Sequence, residues 1–144
     1  MADLLKKLPK KELENASKRS MPKWMDPMLA KLTHDYFSGD EWIFERKLDG
    51  ERVISYVEPR GKIRLMSRNK KEINDSYPEI EEALTDLAPR SCVVDGEVVA
   101  FDKNKVSDFQ RLQPRMHASS REESRKSGVK VYYCLLYTSD AADE

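Results

Sequence analysis

The dipeptide Asp49-Gly50 lies between two short apolar runs, Trp42-Ile43-Phe44 and Val53-Ile54-Ser55-Tyr56-Val57. Aromatic and β-branched residues in runs of this length favour strands. Asp-Gly between such runs is the strongest short-range hairpin signal, because both turn positions tolerate positive φ. The expectation is a hairpin turning at residues 49–50. If its first strand keeps a period of two, Glu45 and Lys47 share one face and Arg46 takes the other.

The charges beside this turn have a plain reading as solvated strand ends. They also have a chemical one. Lysine is a covalent nucleophile once its amine is deprotonated, by desolvation or by neighbouring positive charge. On phosphorus it forms a phosphoramidate, an activated carrier of a nucleotide, with nearby Glu and Arg to hold base, sugar and phosphates.

At 144 residues the chain has the length of one domain or a piece of one. An apolar fraction of 39% supports a core, and 36% charged residues give a heavily solvated surface. Lys and Arg number 26 and so do Asp and Glu, so any basic surface must come from local clustering. Cys92 and Cys134 make no disulfide framework, and a reducing compartment is the default. No apolar stretch approaches the ~18 residues of a membrane span, and no secretion signal is visible.

Residues 1–20 are charged without apolar periodicity and read as a leader or linker. Composition shifts at 21–30, where two prolines with Trp24, Met25, Met28 and Leu29 describe an extended, partly buried lead-in. Residues 31–40 form a polar connector, and His34 there has no metal-like companion. Past the lysine, residues 58–62 form a turn by their Pro and Gly. In the following strand Ile63, Leu65 and Ser67 share one face, while Arg64, Met66 and Arg68 share the other. Residues 74–88 predict a helix, with Pro78 at its first position and Ile80, Ala83, Leu84 and Leu87 as its apolar stripe.

The stretch Cys92-Val93-Val94-Asp95-Gly96-Glu97-Val98-Val99 is an apolar strand interrupted by two carboxylates. Asp95 and Glu97 fall on one face, about 6–7 Å apart. Buried without partners they would be expensive, so they mark either an exposed edge or a polar site. After a turn at 102–105, Ser107-Asp108-Phe109-Gln110 fits a capping box opening a helix, with Phe109 and Leu112 facing inward. Arg111, Arg115, Arg121, Arg125, Lys126 and Lys130 make this region basic. It fits a phosphate-binding face or, with Glu122 and Glu123, a solvated helix. His117 reads as a surface residue.

Lys47-Leu48-Asp49-Gly50-Glu51-Arg52 resembles motif I of the covalent nucleotidyltransferases: ATP-dependent DNA ligases, RNA ligases and capping enzymes. Three further elements follow the ligase order. Pro27-Met28-Leu29-Ala30 is how bacterial and archaeal ligase domains usually begin. Ser67-Arg68-Asn69 is similar to the element whose arginine contacts nucleotide or DNA phosphate. Asp95-Gly96-Glu97 resembles motif III. The run from Asp108 to Met116 is similar to that of ligases of the bacterial end-joining type. The family often has Gly after the Asn of the second element, where this chain has Lys70.

The resemblance implies an α+β adenylation domain of the covalent nucleotidyltransferase (ATP-grasp-like) fold, with antiparallel sheets flanked by helices. It implies Lys47 as nucleophile, Glu45 reading the adenine edge, Asp49 ordering the loop, and Arg52 and Arg68 on nucleotide or phosphate. Glu97 would serve ribose or Mg²⁺. ATP and Mg²⁺ are the implied cofactors, and nicked or broken double-stranded DNA is the implied partner. A monomer working in a bacterial or archaeal cytoplasm, among further repair domains or end-binding proteins, completes the expectation. The alternatives are an RNA ligase or capping-type enzyme, or a non-catalytic nucleic-acid-binding module.

Residues 134–144 coincide with a one-frame translation of a transposase-type sequencing adapter. The expectation is a domain organisation of leader 1–20, ligase-like segment 21–133 and adapter-derived tail 134–144. The ligase-like segment would be the first half of an adenylation domain, lacking its later metal- and triphosphate-directed motifs and inactive or nearly so alone.

Overall fold

A computed structural model of the chain describes residues 20–58, 61–85 and 91–136. The leader at 1–19, the end of the expected first helix at 86–88 and the tail from 137 lie outside them.

Four strands form one antiparallel sheet in the order β2-β1-β3-β4. They are β1 (Glu51–Val57), β2 (Ile63–Ser67), β3 (Cys92–Val99) and β4 (Tyr132–Leu135). Three helices accompany them, α1 (Pro78–Thr85), α2 (Phe109–Met116) and α3 (Arg121–Lys126), and the class is α+β. β4 runs to Leu135, two residues past the boundary expected after Tyr133.

The hairpin expected at Asp49-Gly50 does not form. β1 is flanked on one edge by β2, from Val53↔Ser67 to Val57↔Ile63, and on the other by β3, from Glu51↔Val98 to Val57↔Cys92. A strand has two hydrogen-bonding edges, and both are taken. Residues 42–49 have no edge of β1 left to join and form no strand, and Trp42, Ile43 and Phe44 are exposed. Phe37 and Trp42 instead pack on each other, with ring centroids 4.3 Å apart. The shared face expected for Glu45 and Lys47 is lost with the strand.

The alternation in the other strands survives. Ile63, Leu65 and Ser67 are buried while Arg64 and Met66 are half-buried. Register puts Val53, Val57, Leu65 and Val98 on the face that meets Ile73, Tyr77, Ile80, Leu84 and Leu112, and this is the core. Leu84 and Ile80 anchor α1, whereas Ala83 is exposed, so the apolar stripe is narrower than expected. The opposite face carries Arg52, Ile54 and Tyr56 beside Asp95 and Glu97. The lead-in segment lies against it, with the Met25 N–H donating to the Tyr56 hydroxyl at 2.8 Å. Met28 and Leu29 remain exposed, so this segment covers the sheet only in part.

Two glycines are fixed by close approach. A Cβ on Gly96 would lie 2.4 Å from the Tyr133 ring. The bare backbone lets that ring cross β3, so that the Tyr133 hydroxyl reaches the Val53 and Val94 carbonyls at 2.8 and 3.0 Å and Ser55 Oγ at 3.0 Å. A Cβ on Gly50 would lie 2.1 Å from the Val98 carbonyl oxygen. Gly50 is not among the residues with positive φ. Its role is to let the lysine segment pass β3, not to close a type I′ turn.

The helix after β3 opens one residue later than the capping-box reading. Asp108 is the N-cap and accepts from the Arg111 N–H, while Ser107 Oγ accepts from the Asp49 N–H at 3.0 Å. Leu112 is fully buried and Phe109 half-buried. Arg115, expected on a basic face, is 2% exposed. It donates to the Ser76 and Val129 carbonyls and, bidentately, to Glu79 at 2.7 Å. Arg121 pairs with Glu81 and Asp75, Arg125 with Glu82, and Lys126 with Glu122. The basic face along α3 is therefore largely neutralised by its own neighbours.

Candidate active site

At the end where the lysine segment enters the sheet, a cleft of about 770 Å³ opens beside β1 and β3. Arg52, Arg68 and Glu97 line it, with Gly50 and Pro27 at its margin. The lysine segment is tied to the fold by two hydrogen bonds: the Arg46 guanidinium donates to the Lys105 carbonyl at 3.2 Å and the Asp49 N–H to Ser107 Oγ at 3.0 Å. Lys47 is exposed and near enough to Glu97 for its charge to act on that carboxylate.

Among the described residues, Arg52 is the cation of the cleft held in an ion pair. It sits opposite Glu97 in the β1–β3 ladder and forks onto Asp95, with Nε–O at 2.7 Å and Nη2–O at 2.5 Å. The hydrogen bond to Asp95, followed by the Asp95 and Glu97 charges, outweighs partial burial and raises the guanidinium above its ordinary value. The two carboxylates thus have different duties. Asp95 is occupied in holding Arg52, and Glu97 is left facing the cleft. Asp95 was not singled out from sequence as a site residue. Its signal was present in the period-two spacing that puts Asp95, Glu97 and an opposed arginine on one face.

Burial pushes the Glu97 carboxyl up, against the lowering pull of Arg52, the Gly50 N–H and Lys47; Asp49 adds to the rise. A folded-state value above the unfolded one means the neutral acid is the form the fold prefers. The stabilisation is complete below the ordinary glutamate value and is lost as pH rises through the raised one. Glu97→Gln, which is neutral at every pH, is therefore expected to melt above the wild type at pH 7 and level with it near pH 4. Thermal melts at the two pH values check this, and an equal or lower melting temperature for the variant at pH 7 contradicts it.

Arg68 is exposed on the turn after β2. Lys70, where the resemblance leads one to expect glycine, has φ +61°. The left-handed turn is kept with a lysine in it, at a backbone cost of about 1 kcal/mol. The Lys70 ammonium lies 5.3 Å from the Trp24 ring centroid, a contact that glycine cannot make. Glu45 is exposed and does not line the cleft. Two cleft residues carried no signal in the sequence. Glu51, on the core side of β1, accepts from the Tyr77 hydroxyl at 2.6 Å, and burial raises its carboxyl. His117 caps the end of α2 and brings its ring to the cleft margin.

The residues present suit an anionic nucleotide. Arg52 and Arg68 offer planar donors for phosphate, and Glu97 a free acceptor for a ribose hydroxyl. Among the described residues no three His, Cys, Asp or Glu side chains cluster as a ready-made metal cage. None of the described helices is long and apolar enough to cross a membrane.

The sequence profile of the family described as "ATP dependent DNA ligase domain" matches residues 27–141. The multifunctional non-homologous end joining protein LigD of Pseudomonas aeruginosa is 36% identical over 128 residues, covering 89% of this chain and 14% of that protein. DNA ligase 1 of Saccharomyces cerevisiae is 35% identical over 123 residues, covering 78% of this chain and 16% of that protein. Among solved structures, mycobacterial DNA ligase D complexed with ATP and MES superposes with a TM-score of 0.50 at 28% identity, covering 65% of this chain and 28% of that one. The chain thus spans about one seventh of the length of the curated relatives it matches. The profile match takes in every strand and helix described above, and the chain belongs to the ATP-dependent DNA ligase domain family.

Proposed function

We propose that this chain carries the lysine side of an ATP-dependent DNA ligase, and that Lys47 is the residue adenylated. The observation that carries the reading is the convergence of Arg52, Arg68 and Glu97 on one cleft beside Lys47, three residues drawn from three strands or their ends. In this reading the deprotonated Lys47 amine attacks the α-phosphorus of ATP, the bond to the β-phosphate oxygen breaks, and pyrophosphate leaves. The AMP then passes from lysine to the 5′-phosphate at a nick or break in duplex DNA. The neighbouring 3′-hydroxyl displaces it and closes the strand.

Arg52, fixed by Asp95, is pre-organised to hold the nucleotide without a rearrangement at the moment of transfer. Arg68 adds a second cation at the cleft mouth. Glu97 holds the ribose and is the nearest hard oxygen donor for Mg²⁺, which supplies charge neutralisation of the triphosphate and would keep most of its ligands from phosphate and water. Asp49 orders the loop through its backbone tie to Ser107. Glu45 is assigned the adenine edge from the family pattern alone. The likeness to an end-joining protein of a bacterium supports a cytoplasmic place of work in a bacterium or archaeon.

The test is label transfer from radiolabelled ATP with Mg²⁺, run on the reading frame that carries this chain. An acid-labile AMP adduct is expected in the wild type and none in Lys47→Ala. Undiminished labelling of that variant overturns the assignment of Lys47.

A further inference from the structure

A second cleft, of about 560 Å³, shares no lining residue with the first and includes Arg46 of the lysine segment. Arg46, Lys105, Arg111 and Lys130 line it together with the rings of Phe101 and Tyr132. All four cations are exposed, and among the described residues none of them is in an ion pair. This contrasts with α3, where Arg121, Arg125 and Lys126 are all paired. The one carboxylate of the cleft, Asp102, is engaged in its own turn and accepts from the Asn104 and Val106 N–H groups at 2.8 Å. Lys105 has φ +60°, so the turn holds a lysine in a conformation that favours glycine or asparagine.

The aromatic pair supplies the second half of the argument. Phe101 and Tyr132 stand 5.1 Å apart between centroids, the Lys130 ammonium lies 5.2 Å from the Tyr132 ring centroid, and Tyr132 is 40% exposed. Free cations along a groove, with a ring available for stacking, are what an unpaired nucleic-acid strand needs. Duplex DNA offers phosphates but buries its base faces.

We propose that this cleft binds the single-stranded tail of a broken DNA end, with its phosphates on Arg46, Lys105, Arg111 and Lys130 and a base on Tyr132. The inference rests on the ligase reading above and extends it to the kind of end presented. Arg46 joins the two clefts, since its backbone neighbour is Lys47 and its guanidinium is anchored to Lys105.

The experiment is fluorescence anisotropy of the chain with a labelled duplex carrying a single-stranded tail, against the same duplex made blunt. The tailed end is expected to bind about fivefold or more tighter, from stacking of one base. Tyr132→Ala should remove that preference, and Tyr132→Phe should keep it. Arg111→Ala with Lys130→Ala, both at exposed positions, should lower the salt slope by about 1.4, at about 0.7 for each single-strand phosphate lost. Arg121→Ala should change neither. Equal binding of tailed and blunt ends overturns the proposal, as does an unchanged salt slope in the double variant. ATP or pyrophosphate displacing the DNA at equal phosphate concentration would reassign the cleft to a free triphosphate and also overturn it. Adduct formation from ATP needs no DNA, so failure here and failure of the Lys47 reading register in different assays.

Discussion

Arg115→Met is expected to lower the unfolding free energy by about 3 kcal/mol, from the loss of one partner in a buried charged network. Methionine preserves most of the apolar stem, so the loss isolates the guanidinium. That group ties together three parts of the fold that share no strand: the Ser76 carbonyl before α1, the Glu79 carboxylate in its first turn, and the Val129 carbonyl leading into β4. Glu79 can turn to water, being 42% exposed in its side chain, but the carbonyls lose donors that are already out of water. Arg115→Lys should restore only part of the loss, because a single ammonium does not reproduce the fork.

The effect is pH-dependent. Burial acts to raise the Glu79 carboxyl, but the hydrogen bonds from Arg115, the helix N–H and the Arg115 charge outweigh it and hold the carboxyl below its ordinary range. A depressed value gives stability that is present above the ordinary glutamate value, about 4.3, and lost as pH falls through the folded one. The gap between wild type and variant should therefore narrow on acidification. Urea unfolding at pH 7 and at low pH measures both terms. A variant as stable as the wild type at pH 7 would show that the network adds nothing net.

Gly50→Ala should cost about 2 kcal/mol or more, from steric overpacking against backbone. The new methyl would meet the Val98 carbonyl oxygen at 2.1 Å and Val99 Cγ1 at 2.7 Å. A strand carbonyl cannot step aside as a flexible side chain does, so β1 and β3 must part at the pair Glu51↔Val98. The same displacement moves the Gly50 N–H from Glu97 and shifts Lys47 relative to it. Adduct formation should therefore fall at least tenfold, more than the fraction of unfolded protein explains. Gly61→Ala is the control. It carries a φ penalty that Gly50→Ala does not, at +81°, but nothing lies within 4 Å of its added methyl and it is remote from the cleft. Melting temperature and labelling rate measured on both variants separate the two effects. Equal losses in the two variants would mean that close approach at Gly50 is unimportant.

What could be read before the fold was known follows a physical boundary. Period-two burial in β2 and β3 was legible, because one face of each strand meets the core and the other does not. The grouping of Arg52, Arg68 and Glu97 was legible through the resemblance. The strand at 42–47 was misread because local composition reports strand propensity but not whether an edge is free, and both edges of β1 were taken by strands distant in sequence. Arg115 was misread for a related reason. Its neighbours in sequence are polar, but its partners Ser76 and Glu79 come from more than thirty residues away. The roles of Gly50 and Gly96 depend on which backbone passes over which, and no local pattern states that.

The central position of β1 also separates two kinds of order in this chain. The sheet and its core form one hydrogen-bonded and packed unit. Among the described residues, the lysine segment from 43 to 50 is joined to that unit by the two hydrogen bonds at Arg46 and Asp49 and the close passage of Gly50 over β3, and by no ladder. It can therefore rearrange without disturbing any strand pair, and a nucleotide that fixes it must supply the entropy of ordering it. In the proposed reading, Gly50 and Glu97 belong to both kinds of order, whereas substitutions within 43–49 should change nucleotide affinity with little effect on the stability of the sheet.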